Sequence, residues 1–175
     1  MRHWLSHLAI GAVFFLSALA FGEELEVGDI APNWMLVDHD NKAVSLYDQV
    51  GDGRIAVMVF WASWCGHSKK ILPRLKQLGE NREFENVAFY LMNAWENGDG
   101  SAFIREHASD MPVVLHADSI ARRFAIDVTP GIVIVGADRR ILYKYSDGGQ
   151  NPDVVSNIQQ VLHSATAGAR PIGLH

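Results

Sequence analysis

The segment Ile55-Ala56-Val57-Met58-Val59-Phe60-Trp61 is apolar at every position, and shortly after it, at Cys65-Gly66, the apolar pattern changes period. An unbroken apolar run of strand length suits a strand covered on both faces, whereas a half-exposed strand would alternate. Beyond Gly66, Ile71, Leu72, Leu75 and Leu78 share one helical face while Lys69, Lys70, Arg74 and Lys76 fall elsewhere. A strand buried on both sides needs a layer on each side. The chain is therefore restricted to an α/β domain with this strand at its centre and a strand-to-helix junction tipped by the cysteine.

The remaining sequence supplies the layers. Residues 34–37 and 43–46 flank Asp38-His39-Asp40-Asn41, a hairpin with turn chemistry. Residues 87–91 read as the next strand. Ser101 is expected to cap a short helix reaching about residue 108, with Phe103, Ile104 and His107 on one face. Residues 113–116 form a short strand, and Asp118 caps a helix that buries Ile120, Ala121 and Phe124 and ends before Val128-Thr129-Pro130. Residues 132–135 and 141–145 form a hairpin whose tip carries a solvated Arg139-Arg140. Asp147-Gly148-Gly149 reads as a turn. The last helix is capped by Asn151, followed by Pro152 where a missing N–H costs nothing, and buries Val154, Val155, Ile158, Val161 and Leu162. The order β-β-α-β-α-β-β-α describes a three-layer α/β domain.

Composition narrows the function. A chain of 175 residues, 49% hydrophobic, makes one ordinary domain. A net charge of −5 offers no general attraction to nucleic acid. One cysteine excludes an internal disulfide and any multi-cysteine metal or iron–sulfur site. The histidines are scattered; His116 near a strand end does not make a metal site with Cys65 and His67 persuasive. At the N-terminus Arg2 and His3 precede an apolar run over residues 8–21, and Ala18-Leu19-Ala20 has the small residues a signal peptidase reads. Residues 1–20 are expected to be an export signal cleaved after Ala20, since the run is shorter than the roughly 20 residues of a spanning helix. Left uncleaved, it would anchor the chain to a membrane. Residues 21–27 are an acidic, solvated lead-in, 28–164 the domain and 165–175 a flexible tail. Export to the periplasm or beyond puts Cys65 in an oxidising compartment.

A thiol becomes a nucleophile when its anion is stabilised, and a helix N-terminus does this with unpaired N–H groups and partial positive charge. Cys65 stands at that place. His67, two residues on, adds charge when protonated.

Phe60-Trp61-Ala62-Ser63-Trp64-Cys65 resembles the active-site approach of thioredoxin-fold proteins, especially the secreted TlpA-like (redoxin, AhpC-TSA-like) thiol-disulfide oxidoreductases. Gly28-Asp29-Ile30-Ala31-Pro32 looks like that family's opening, Lys42-Ala43-Val44-Ser45-Leu46 its second strand, Pro73 its helix kink, and Val128-Thr129-Pro130 its cis-proline loop. The resemblance covers roughly residues 28–163. It implies a thioredoxin-like three-layer fold, with a central mixed sheet flanked by helices. It also implies a cis Thr129–Pro130 bond beside Cys65, with Trp64, Gly66, Thr129 and Pro130 bordering the substrate, and no cofactor.

The departures matter equally. The family's two cysteines separated by two residues become Cys65-Gly66-His67-Ser68, so a serine replaces the resolving thiol. Ile71 stands where the family commonly carries a glutamate. With Cys65, His67 and Ser68 as the catalytic set, the expected activity is monothiol. Cys65 would act on a protein or small-molecule disulfide, and an external thiol reductant would resolve the mixed disulfide. Residues 62–68 also resemble the nucleophile loop of glutathione peroxidases, which makes a thiol peroxidase the second reading. That family's glutamine and Trp-Asn elements find no convincing match, and Ala62 occupies the position where another peroxidase pattern needs threonine. A non-enzymatic, partner-binding thioredoxin fold is the third.

Overall fold

The computed structural model describes residues 24–38, 40–107 and 111–169. The expected export signal, the first residues of the lead-in and the tail beyond Ala169 lie outside the described residues.

In chain order, strands β1 (Met35–Val37) and β2 (Ala43–Ser45) pair antiparallel. The Asp38 carboxylate closes their turn by accepting the backbone N–H groups of Asp40 and Lys42, each at 2.9 Å. A four-residue helix α1 (Leu46–Gln49) follows at once, claiming the Leu46 that the sequence reading gives to the strand. The central strand β3 (Ile55–Trp61) has all seven residues buried, as its composition predicts. Helix α2 (Gly66–Gly79) continues through Pro73, whose ring nitrogen leaves the Lys69 carbonyl without its helical donor. A 3-10 turn at Arg82–Phe84, capped by Asn81, leads to β4 (Val87–Asn93). Then come α3 (Gly100–His107), β5 (Val113–Val114), α4 (Asp118–Arg123), β6 (Gly131–Val135), β7 (Ile141–Tyr145) and α5 (Val154–Ala169).

The five-stranded sheet runs β5-β4-β3-β6-β7. β3 sits in the middle, parallel to β4 and antiparallel to β6. Its alternate side chains feed two cores. Val57, Val59 and Trp61 meet Ile71, Leu72, Leu75 and Leu78 of α2 and Val154, Val155, Ile158 and Leu162 of α5. Ala56, Met58 and Phe60 meet Trp34, Leu46, and Ile120, Ala121 and Phe124 of α4. This is the expected three-layer arrangement with a central mixed sheet, and it is thioredoxin-like. A fully buried leucine such as Leu75 contributes about 2–5 kcal/mol here, judged by what truncation to alanine costs in comparable cores.

Several local expectations are corrected. Asp99, not Ser101, caps α3, accepting the Ala102 N–H at 2.9 Å, so the helix starts at Gly100. The side chain of His107 lies outside the described residues. Asp118 is the first residue of α4 rather than its cap, and its carboxylate accepts the Trp95 N–H at 3.1 Å. β4 runs two residues past Leu91, and β5 has two residues rather than four. At the opening of the domain, Gly28 N–H donates to the Ile141 carbonyl at 2.8 Å, and Ala31 N–H to the Arg139 carbonyl at 2.9 Å. Lys144 holds the Glu24 carboxylate and the Leu25 carbonyl. The Arg139-Arg140 tip is engaged too, Arg139 over the Tyr47 ring and Arg140 on the Gly28 carbonyl. Finally α5 extends to Ala169, so the chain is helical beyond Ala165, where a tail was expected.

Candidate thiol site

Sheet polarity gathers the site. β3 ends where the antiparallel β6 begins, with Phe60 opposite Gly131, and Trp61 lies opposite Asn93 at the end of the parallel β4. The loops that follow β3 and β4 and the loop that precedes β6 therefore meet at one end of the sheet.

Cys65 occupies the N-cap position of α2 with extended backbone, and its side chain makes no cap hydrogen bond. Instead the Sγ–H donates to the Thr129 carbonyl at 3.2 Å. The Thr129–Pro130 bond is cis, as the resemblance implies. Only 7% of Cys65 is exposed. Burial pushes the thiol pKa up. The hydroxyls of Ser68 and Thr129 and the backbone N–H groups of Ser68 and His67 outweigh it, so the net shift is downward. Ser68 and Thr129 are both buried, and in the thiol form neither hydroxyl finds a partner among the described residues. Ionisation of the sulfur supplies the acceptor they lack, which favours the anion.

Among the expected site residues, Gly66 and His67 are exposed at the helix start. The His67 backbone N–H is one of the donors that lower the thiol pKa. Its ring lies against the turn after β7. A Cβ on Gly149 would come within 2.5 Å of the His67 Cβ, and Gly149 also holds φ +90°. The turn expected at 147–149 thus packs over the start of α2, with the Asp147 carboxylate accepting the N–H groups of Gly149 and Gln150. Trp64 is 52% exposed beside the thiol, and its indole N–H donates to the Trp95 carbonyl at 2.8 Å. Trp61 is fully buried and stacks on Phe103 at 5.3 Å. Ile71 belongs to the core.

Glu96 is the residue that sequence reasoning misses. One oxygen accepts the Ser63 N–H at 2.8 Å and Asn93 Nδ2 at 2.9 Å. The other accepts the Ser63 hydroxyl at 2.7 Å, the Asn97 N–H at 3.1 Å and the Gly98 N–H at 2.9 Å. Burial works to raise its pKa, but donors from Ser63, Asn93 and Gly98 overcome that and bring it down to about 2. The only sequence signal is Asn93 and Glu96 three apart after a strand, close to Gly98 and Gly100. His116 is not drawn toward Cys65; with Asn93, Glu96, Asp99 and Asp118 it lines a polar cavity of about 370 Å³ behind the loop. Among the described residues no three His, Cys, Asp or Glu side chains converge as a metal centre would require.

Strand order and the thiol facing a cis-proline place the chain in the class of thioredoxin-like domains. Residues 27–144 match the AhpC/TSA family, and the chain belongs to it. It is similar to the thiol-disulfide oxidoreductase ResA of Bacillus subtilis, 28% identical over 123 residues, which is 70% of this chain and 67% of that protein. A ResA of Bacillus cereus is 22% identical over 78% of this chain and 79% of its own length. Among solved structures, a DsbE-like thiol:disulfide interchange protein from Chlorobium tepidum superposes with a TM-score of 0.72 at 21% identity, over 82% of this chain and 99% of that one. This last likeness is one of fold.

Proposed function

We propose that the protein is an exported monothiol oxidoreductase acting through Cys65. The observation that carries this is a thiol with a lowered pKa at a helix N-terminus whose neighbour one turn on is the buried Ser68 and not a second cysteine. The Cys65 thiolate attacks one sulfur of a substrate disulfide, forms a mixed disulfide and expels the other sulfur as a thiolate. Ser68 cannot expel the bound half. An external thiol attacks the mixed disulfide, its sulfur pairs with the substrate sulfur, and Cys65 leaves as the thiolate that Ser68 and Thr129 stabilise. Trp64, Gly66 and the Thr129–Pro130 segment border the substrate. The ResA relatives, described as thiol-disulfide oxidoreductases, support the chemistry. The apolar run and small-residue site of residues 1–20 support export to the periplasm or beyond.

The test is exposure of the purified protein to oxidised glutathione. Mass spectrometry should show a single glutathione addition that Cys65→Ser abolishes and an added thiol reverses. A Cys65 that stays unmodified in the folded chain but reacts once unfolded would refute the reading and leave a partner-binding domain. Turnover of hydroperoxides in place of disulfides would assign the thiol to peroxidase chemistry.

A further inference from the structure

We infer that Glu96 is the positioning residue for Cys65, acting through Ser63 to hold the turn that aims the sulfur at Thr129. The inference rests on the proposed thiol chemistry but stands on its own geometry. The turn from Ala62 to Cys65 is closed by the Cys65 N–H on the Ala62 carbonyl at 3.1 Å. It is anchored by β3 at one end and α2 at the other. Its middle residue Ser63 presents both backbone N–H and hydroxyl to the two oxygens of Glu96. A second tie runs from the Trp64 indole to the Trp95 carbonyl. A third joins the Ala94 N–H to the Trp61 carbonyl at 3.0 Å. The segment after β4 is thus fastened along the whole thiol loop, and the carboxylate is its centre.

The surroundings are shaped for a carboxylate. All five donors are neutral, and each oxygen receives at least two of them, so both must be acceptors. A glutamine would turn an N–H₂ toward donors on one side and lose those bonds. Gly98 and Gly100 leave the space: a Cβ on Gly98 would stand 3.2 Å from Ser63 Oγ, and one on Gly100 would stand 3.0 Å from both Asn93 Nδ2 and Glu96 Oε2. Asn93, 4% exposed, completes the pocket from the last position of β4. None of these groups touches the sulfur. Their effect reaches it through the backbone, by keeping Sγ at 3.2 Å from the Thr129 carbonyl.

The experiment is the pH dependence of Cys65 alkylation by a small electrophile in the wild type, Glu96→Ala, Glu96→Gln and Ser63→Ala, with circular dichroism to establish folding. In Glu96→Ala the rate constant one pH unit below the wild-type midpoint should fall about three- to tenfold as the midpoint rises. The rate at the high-pH plateau should rise about twofold or more because the sulfur is uncovered. Glu96→Gln should shift the midpoint in the same direction by less, which keeps the test decisive if the alanine variant does not fold. A role confined to stability would lower the unfolding transition without moving the midpoint of the folded protein. Folded Glu96→Gln and Ser63→Ala proteins with the wild-type midpoint and plateau would overturn the inference. A wild type that forms no glutathione adduct, with variants that still shift, would refute the oxidoreductase reading and leave the positioning role standing.

Discussion

Replacing Ser68 by alanine should change stability in opposite directions at low and high pH. In the thiol form the Ser68 hydroxyl is fully buried and without a partner among the described residues. An unsatisfied buried hydroxyl costs about 1–3 kcal/mol, so at pH near 6 the alanine variant should be at least as stable as the wild type. Once Cys65 ionises, the hydroxyl gains a charged acceptor, a hydrogen bond of about 1.5–3 kcal/mol. At about 1.4 kcal/mol per unit, its loss should raise the thiol pKa by about 1–2 units. The folded pKa of Cys65 lies below its unfolded value. Its contribution to stability is therefore fully present above the unfolded pKa of about 8.5 and is lost as pH falls through the folded value. In Ser68→Ala that contribution shrinks, so the wild type should overtake the variant as pH rises through this window. Urea unfolding of both proteins at about pH 6 and about pH 9.5, beside the alkylation midpoint, measures it. An unchanged midpoint, or an identical stability difference at the two pH values, would refute the reasoning.

Three further outcomes follow from the same geometry. Ser68→Cys should fold, form a reversible disulfide with Cys65 and reduce insulin with a dithiol much faster than the natural chain; equal rates in the two proteins would contradict the monothiol mechanism. Gly149→Ala, forced into φ +90° and against the His67 Cβ, should cost about 1–3 kcal/mol in thermal or urea unfolding. His67→Gly in the same chain should return only the steric part of that loss. Because Glu96 titrates at about 2 against an ordinary 4.5, its carboxylate stabilises the fold above about pH 4.5, and that stabilisation is lost as pH falls through about 2. The stability gap between wild type and Glu96→Gln should therefore close in acid, and a gap of constant size from neutral pH to pH 2 would contradict the assignment.

The parts of the molecule legible in the sequence are those written in one stretch of chain. β3 is a continuous apolar run, α2 and α5 carry their stripes at helical spacing, and Cys65 stands at the change of period between strand and helix. Thr129–Pro130 became visible only beside a resembled family, since Thr-Pro is common in plain turns. Glu96 was invisible because its meaning lies in Ser63, 33 positions away, and no spacing rule links them. The pairing of Gly28 with Ile141 and of Ala31 with Arg139 is illegible for a different reason: its bonds join backbone groups that any residue carries. His67 offers more than its place in the sequence shows. Its ring lies against Gly149 and its backbone N–H serves the sulfur, and neither contact can be read from a spacing of two residues.

The bond between Cys65 and Thr129 spans 64 positions of chain, which gives the nucleophile a timetable. Before β6 docks against β3 there is no Thr129 beside the sulfur, and a helix the length of α2 is marginal without its tertiary contacts, so the local donors are not yet in place either. A nascent or opened chain therefore carries a thiol of ordinary pKa, mostly protonated at neutral pH. Long-range closures are late events in folding because their loop entropy must be met first. The downward shift of the Cys65 pKa thus depends on β6 docking, and a chain that keeps much of its secondary structure without that docking has lost the Thr129 part of it.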